Sequence, residues 1–205
     1  MIDLPQVTLC CVTGKNIAAH QLALEYSKRG INFGAVKLLH KESKDIDEWS
    51  YGIVYNLGKH IKTEFALLIH DDGFVVNPEM WNPDWLNYDF IGSPFPLPTD
   101  SFSYRDVNDK IQRVGNSVSL RSKKLLDLPS KLNMEWKPFF GFYNEDGWIS
   151  VGNRHIFEEH GCKFAPLEVA KHFGRESEIP ENQDVEKPFV FHKYAGRNYQ
   201  YKNLL

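Results

Sequence analysis

Within its first forty residues the chain writes a strand, a helix and a second strand, and few folds accommodate that order. "VTLCCVT", Val7 to Thr13, is a short apolar run ended by Gly14 and reads as a buried strand. Asn16 then stands where a helix cap is needed, and "IAAHQLALEYSKRG" follows with Ala19, Leu22, Ala23 and Tyr26 at helical spacing and Gly30 as its stop. "FGAVKLL", Phe33 to Leu39, comes next as a second strand. Parallel strands cannot be joined by a tight turn, so this unit predicts a parallel sheet with a helix packed across it.

The pattern continues. "DIDEWSYGIVYNLGKHI" offers Asp45 or Asp47 as a cap and sets Trp49, Ile53, Val54 and Leu57 on one helical face, and "EFALLIHDDG" supplies a third strand. The next thirty or so residues, rich in proline and aromatics, read as an ordered loop region around a short strand at "DFIGS". A strand around Ser117 to Leu120, a helix ended near Pro129, a helix from "NEDGW" to Gly161 and a late strand at "CKFAPLEVAKHF" complete the expectation. At 205 residues one α/β domain spanning 1–205 is expected, standing alone or as one domain of a longer polypeptide.

Composition narrows the function classes. Lysine plus arginine total 24 against 27 acidic residues, a net charge of −3, with no long run of either sign, so no nucleic-acid or membrane surface is advertised. The three cysteines, Cys10, Cys11 and Cys162, make no disulfide framework, and no apolar segment approaches a membrane span; a cytoplasmic protein is the expectation, with oligomeric state left open. Aromatics reach 14 %, enough to spare rings for a pocket that stacks on flat or sugar-like ligands.

Three constellations carry chemistry. In "LLIHDDGFVV", residues 67–76, Asp71 and Asp72 sit at a strand's carboxyl end, the edge at which open α/β sheets bind ligands. Asp-Gly is a common turn pair, so the aspartates read alternatively as turn residues. Two adjacent carboxylates at a cleft are nevertheless costly unless a cation or several donors compensate, and magnesium or manganese with a substrate phosphate is the economical partner. In "GFYNEDGW", Glu145 and Asp146 stand at an expected helix start among Phe142, Tyr143 and Trp148; they read as first-turn capping residues or as a base beside an aromatic wall that positions a sugar. In "KPFVFHKYAG", His192 interrupts an apolar run and is followed by Lys193. A weaker candidate is "RVGNSVSLRS", where Gly115 and Asn116 form either a plain turn or a close backbone approach to a ligand.

Taken in order, "LPQVTLCCVTG", "LLIHDDGFVVNPEMW", "VGNSVSLRSKKLL" and "GFYNEDGWISVGNRHIFEEHG" make a chain that resembles the nucleotide-sugar glycosyltransferases of the GT-A fold, over nearly its whole length. The resemblance implies a Rossmann-like, mostly parallel central sheet flanked by helices. It implies a UDP-sugar donor and a glycan or glycoprotein acceptor, with Thr13 and Gly14 meeting the base and ribose. Gly115, Asn116 and Ser117 fall near the donor sugar, and Asp71, Asp72 and Lys193 around the diphosphate. The first position of the family's Asp-x-Asp pattern is His70 here, so Asp72 and His192 are the implied ligands of Mn2+ or Mg2+. Asp146 matches the base of inverting members, and Glu145 would orient a donor or acceptor hydroxyl. The reaction expected is transfer of a hexose or deoxyhexose to a hydroxyl, with inversion favoured and retention open. The alternatives are a metal-dependent phosphoester hydrolase and a carbohydrate-binding module without catalysis.

Overall fold

β1, Ile2–Thr13, is buried on both faces because its side chains alternate between two apolar layers. Leu9 and Cys11 pack with Ala23 and Leu24 of α1, Ile17–Ser27. Cys10 and Val12 point the other way, onto Ile53 and Leu57 of α2, Ile46–His60. The cysteines behave as small core residues: all three are free and buried, and burial pushes the Cys10 thiol up to about 12. The protein is described here from a computed structural model covering residues 1–138 and 144–205.

β1 pairs in parallel with β2, Ile31–His40, and with β3, Phe65–Leu68. β5, Val114–Ser122, then runs antiparallel to β3 and to β4, Phe90–Pro94, giving the five-stranded order β2-β1-β3-β5-β4. Four strands share one direction, as the crossover unit predicts, and β5 alone is reversed. Helices α1 and α2 cover opposite faces, and α3, Lys123–Lys131, capped by the Ser122 hydroxyl accepting from the Leu125 amide, packs against α2. The mixed α/β sheet flanked by helices is therefore the fold class expected from the sequence. Among the described residues no helix is long and apolar enough to cross a membrane.

Several local expectations are corrected. Asn16 does not cap α1 with its side chain; it adopts a left-handed conformation, and His20 and Leu24 are buried where Leu22 is 53 % exposed. The helix expected from "NEDGW" to Gly161 is broken into α4, Glu145–Gly147, a π-helical turn Trp148–Gly152, and α5, Arg154–Glu159. The expected late strand is instead α6, Leu167–Phe173, which follows Pro166 and buries Ala170 and Phe173 three residues apart. Beyond it a small parallel pair, β6 Gly174–Arg175 and β7 Val190–Phe191, carries the chain back beside the main sheet.

Candidate functional site

Because β1, β2 and β3 run the same way, their carboxyl ends share one edge, and the reversed β5 brings its amino end to that edge as well. Thr13 ends β1 there, and Ser117 lies just beyond Ser119, the partner of Leu68. After β3 the chain makes one more sheet bond, from the Ile69 amide to the Cys10 carbonyl at 2.9 Å, and then turns. Mutual backbone bonds between His70 and Gly73 close the turn with Asp71 and Asp72 at its tip. The distant "FHKY" segment clasps it: the Lys193 amide donates to the Asp72 carbonyl at 2.8 Å, and the Tyr194 hydroxyl to the Asp71 carbonyl at 2.9 Å.

Gly73 makes the clasp possible. A Cβ there would lie 2.7 Å from Val118 Cγ2 and 2.9 Å from both His192 Cδ2 and the Phe191 carbonyl. Gly73→Ala is thus expected to push the His192 ring out of place and cost roughly 1–3 kcal/mol, the usual penalty of overpacking, read as a lowered urea midpoint at unchanged slope.

Asp72 and His192 meet in this fold. His192 Nε2 lies 3.7 Å from Asp72 Oδ1, and burial lowers the histidine's proton affinity, leaving a neutral ring. Burial likewise raises the Asp72 pKa, with the neighbouring charge of Asp71 adding to it. His70, its ring 5.6 Å from that of His192, is held down to about 4 by burial and then by His192, so it too is neutral. Asp71 is turned toward His20 Nε2 at 3.5 Å. Thr13, Trp49, Ser117 and these side chains line a cleft of about 320 Å³. It shares Thr13 and Trp49 with a second of about 220 Å³ that adds Gly14, Lys15, Lys41 and Ser43.

A cation here would take one carboxylate oxygen and one neutral imidazole nitrogen from the protein and its other ligands from phosphate oxygens; the oxygens suit Mn2+ or Mg2+, while the imidazole suits Mg2+ poorly. Among the described residues no group of three or more His, Cys, Asp or Glu side chains is disposed to hold a metal.

On the far side of His192 and Lys193 lies a cleft of about 410 Å³, lined by Phe95, Tyr104, Asp146, Trp148, Glu176 and Lys193 among others. Burial, reinforced by Glu145, raises the Asp146 pKa to about 7. Both acidic residues stand in the first turn of α4, as expected, and the Gly147 amide donates to Asp146 Oδ1 at 2.8 Å. Glu145 itself is 1 % exposed: its Oε1 accepts from Ser117 Oγ at 2.5 Å and from Arg121 Nη2 at 2.9 Å. It is buried beside Arg121 and Ser117 and is not among the residues lining the three clefts described, whereas a contact to a substrate hydroxyl was expected of it. Of the anticipated aromatic wall, Phe142 and Tyr143 lie outside the described residues, and Trp148 is almost wholly packed in the core. Tyr104, stacked on Phe95 at 4.6 Å, supplies aromatic surface that the sequence reading missed.

Gly115 and Asn116 also depart from expectation, since both are buried inside β5 and neither lines these clefts. The space a Gly115 side chain would need is filled by the Phe95 ring, 2.1 Å from an added Cβ. Asn116, at φ 86°, turns its amide onto Glu176 at 2.6 Å. Glu176 was not singled out in the sequence. It sits just after a two-residue strand, in a stretch without periodicity, where no spacing rule marks it.

The family described as "Protein of unknown function (DUF5672)" matches residues 55–192, more than half of the chain and a span that holds both aspartates of the turn, Asp146, Glu176 and His192. No curated protein matches. Among solved structures, the chain is similar to a glycosyltransferase involved in the glycosylation of the major capsid of PBCV-1, at 13 % identity and a TM-score of 0.61, over 97 % of this chain and 99 % of that one. An active-site mutant of LgtC aligns at 11 % identity and a TM-score of 0.54, over 93 % and 88 %. The galactosyltransferase LgtC in complex with donor and acceptor sugar analogues aligns at 12 % and 0.51, over 92 % and 87 %. At these identities the likeness is one of fold.

Proposed function

The chain belongs to the DUF5672 family, and we propose that it is a metal-dependent glycosyltransferase moving a hexose or deoxyhexose from a UDP-sugar to a hydroxyl of a glycan or glycoprotein acceptor, with inversion. The observation that carries this reading is the meeting of three distant segments. Asp72 and His192 face one cleft, Asp146 faces another, and the two clefts flank the contact between His192, Lys193 and Glu176. That arrangement sits at the edge of the sheet where such folds bind ligands, on a fold shared with glycosyltransferases.

In this reading Thr13, Gly14 and the Trp49 face of the smaller cleft receive the nucleoside, and Lys193, on the wall of the larger cleft, supplies positive charge toward the diphosphate. Asp72 and His192 hold the cation, which when bound offsets the negative charge that develops on the leaving diphosphate. Asp146 accepts the acceptor's hydroxyl proton as the new glycosidic bond forms and the bond to the diphosphate breaks. Approach of the acceptor from the cleft opposite the diphosphate inverts the anomeric carbon without a covalent intermediate. The raised pKa of Asp146 favours this role, because a carboxylate poised near neutrality is a stronger base than an ordinary one.

Calorimetric titration with UDP, with and without Mn2+, tests the donor side. Binding is expected to require the metal, and Asp72→Asn to weaken it by about tenfold or more, since one of two protein ligands is lost. Equal UDP affinity with and without Mn2+ would remove the metal from the proposal, and binding of free sugar with no nucleotide affinity would favour a carbohydrate-binding module.

A further inference from the structure

We infer that Glu176 is the positioning residue of this site, fixing the imidazole tautomer of His192 and pinning the ammonium of Lys193 with one carboxyl group; the inference rests on the glycosyltransferase reading for what these groups then serve.

The two oxygens of Glu176 divide the work. Oε2 accepts from Asn116 Nδ2 at 2.6 Å, and Oε1 faces both Lys193 Nζ, with which it forms an ion pair, and His192 Nδ1 at 3.6 Å. The side chain is only 13 % exposed, at the wall of the larger cleft. The mount is rigid. Asn116 is 1 % exposed and spends its other amide atom on the Val118 amide at 2.9 Å, which fixes the side chain that holds Oε2. Asn116 occupies the left-handed region, at φ 86°, where asparagine is among the few side chains readily tolerated. Register does the rest. Arg175 pairs with Phe191 across the small sheet and the His192 amide donates to the Arg175 carbonyl at 3.0 Å, so Glu176 and His192 emerge side by side.

The consequence falls on the imidazole. His192 Nδ1 is buried with no hydrogen-bond partner, and Glu176 Oε1 lies 3.6 Å from it. A ring nitrogen beside a carboxylate carries the hydrogen, which leaves Nε2 with its lone pair toward Asp72. Two acceptors, Nε2 and Asp72 Oδ1, then face one another at 3.7 Å, an arrangement that a cation between them resolves. With the opposite tautomer, Nε2–H would point at Asp72 and no cation would be called for. Glu176 thus decides whether the pair is a metal site or a hydrogen-bonded pair.

The test uses the full chain with 15N-labelled histidine. Long-range 15N–1H correlation is expected to show His192 protonated on Nδ1 in the wild type, and Glu176→Gln, which keeps the shape and removes the charge, is expected to shift the proton to Nε2 or mix the two forms. In the presence of UDP, Mn2+ affinity read from the free-ion electron paramagnetic resonance signal should fall roughly 10- to 100-fold in Glu176→Gln, with partial recovery in Glu176→Asp. A wild-type His192 protonated on Nε2 overturns the inference even if the variant does not fold. So does a Glu176→Gln protein whose tautomer and Mn2+ affinity match the wild type. If the wild type binds no Mn2+ with UDP, the glycosyltransferase reading fails while the tautomer comparison still decides the role of Glu176.

Discussion

Asp146→Asn is expected to lower the transfer rate roughly 10²- to 10⁴-fold, the usual contribution of a general base, while Mn2+-dependent UDP binding persists. The wild type should show its own signature in a pH–rate profile. The Asp146 carboxyl sits at about 7, raised by burial and by Glu145, and only its deprotonated form can take the acceptor's proton. kcat/KM is therefore expected to climb as pH rises through about 7 and then level, and this rise should be absent from the residual activity of Asp146→Asn. Stability should move the opposite way. A carboxyl group whose pKa is raised on folding from an ordinary 3.8 binds its proton more tightly in the folded state, so it contributes stability at low pH that is lost as pH climbs toward 7. The amide has no such proton to lose. Above pH 7 Asp146→Asn should be the more stable protein, by on the order of 2 kcal/mol after discounting for solvent at the cleft, and near pH 4 the two should converge. Full transfer activity in Asp146→Asn would remove Asp146 from the role of base.

The second large effect lies beneath that residue. Arg121 is fully buried, with Nε on Ser119 Oγ at 2.8 Å and Nη2 on Glu145 Oε1 at 2.9 Å. Arg121→Met leaves the Glu145 carboxylate buried with the Ser117 hydroxyl as its remaining close partner, and breaking a buried pair from one side costs roughly 3–5 kcal/mol. Against a total stability of about 5–15 kcal/mol, that loss should be plain in urea denaturation. The double variant Arg121→Met with Glu145→Leu removes both charges and should recover much of the loss. A strongly non-additive cycle is the expected outcome, and additive losses would show that the pair is not coupled.

What the sequence disclosed, and what it withheld, follows from the range over which each feature is encoded. The crossover unit at the start and the Asp71–Asp72 turn are local patterns, a run of apolar residues and a strand ending in a polar tip, and both are readable from a dozen residues. Val114–Ser122 was legible as a strand but not as the reversed one, because direction depends on its distant partner in the chain, Phe65–Leu68. The surroundings of Gly115 and Asn116 were not legible for the same reason, since Phe95 and Glu176 claim the space around them. The stretch Leu167–Phe173 became a helix through Pro166 and a buried face that a period-two reading overlooked. Glu145 shows the limit most sharply: its sequence neighbours fit a substrate contact, and only the arrival of Arg121 from β5 explains its burial.

Besides the Tyr194 hydroxyl, the clasp between the two ends of the site uses two main-chain bonds, from Lys193 to Asp72 and from Phe191 to Phe74, and neither bond uses the side chains of Asp72 or His192. The two positions that face each other there are in effect marks on a fixed ruler. Substitution at either mark changes the chemical identity of the donor without altering the gap it must bridge. On the proposed reading, that gives the scaffold freedom to exchange one cation preference for another, or to do without a cation, while the surrounding sheet stays as it is.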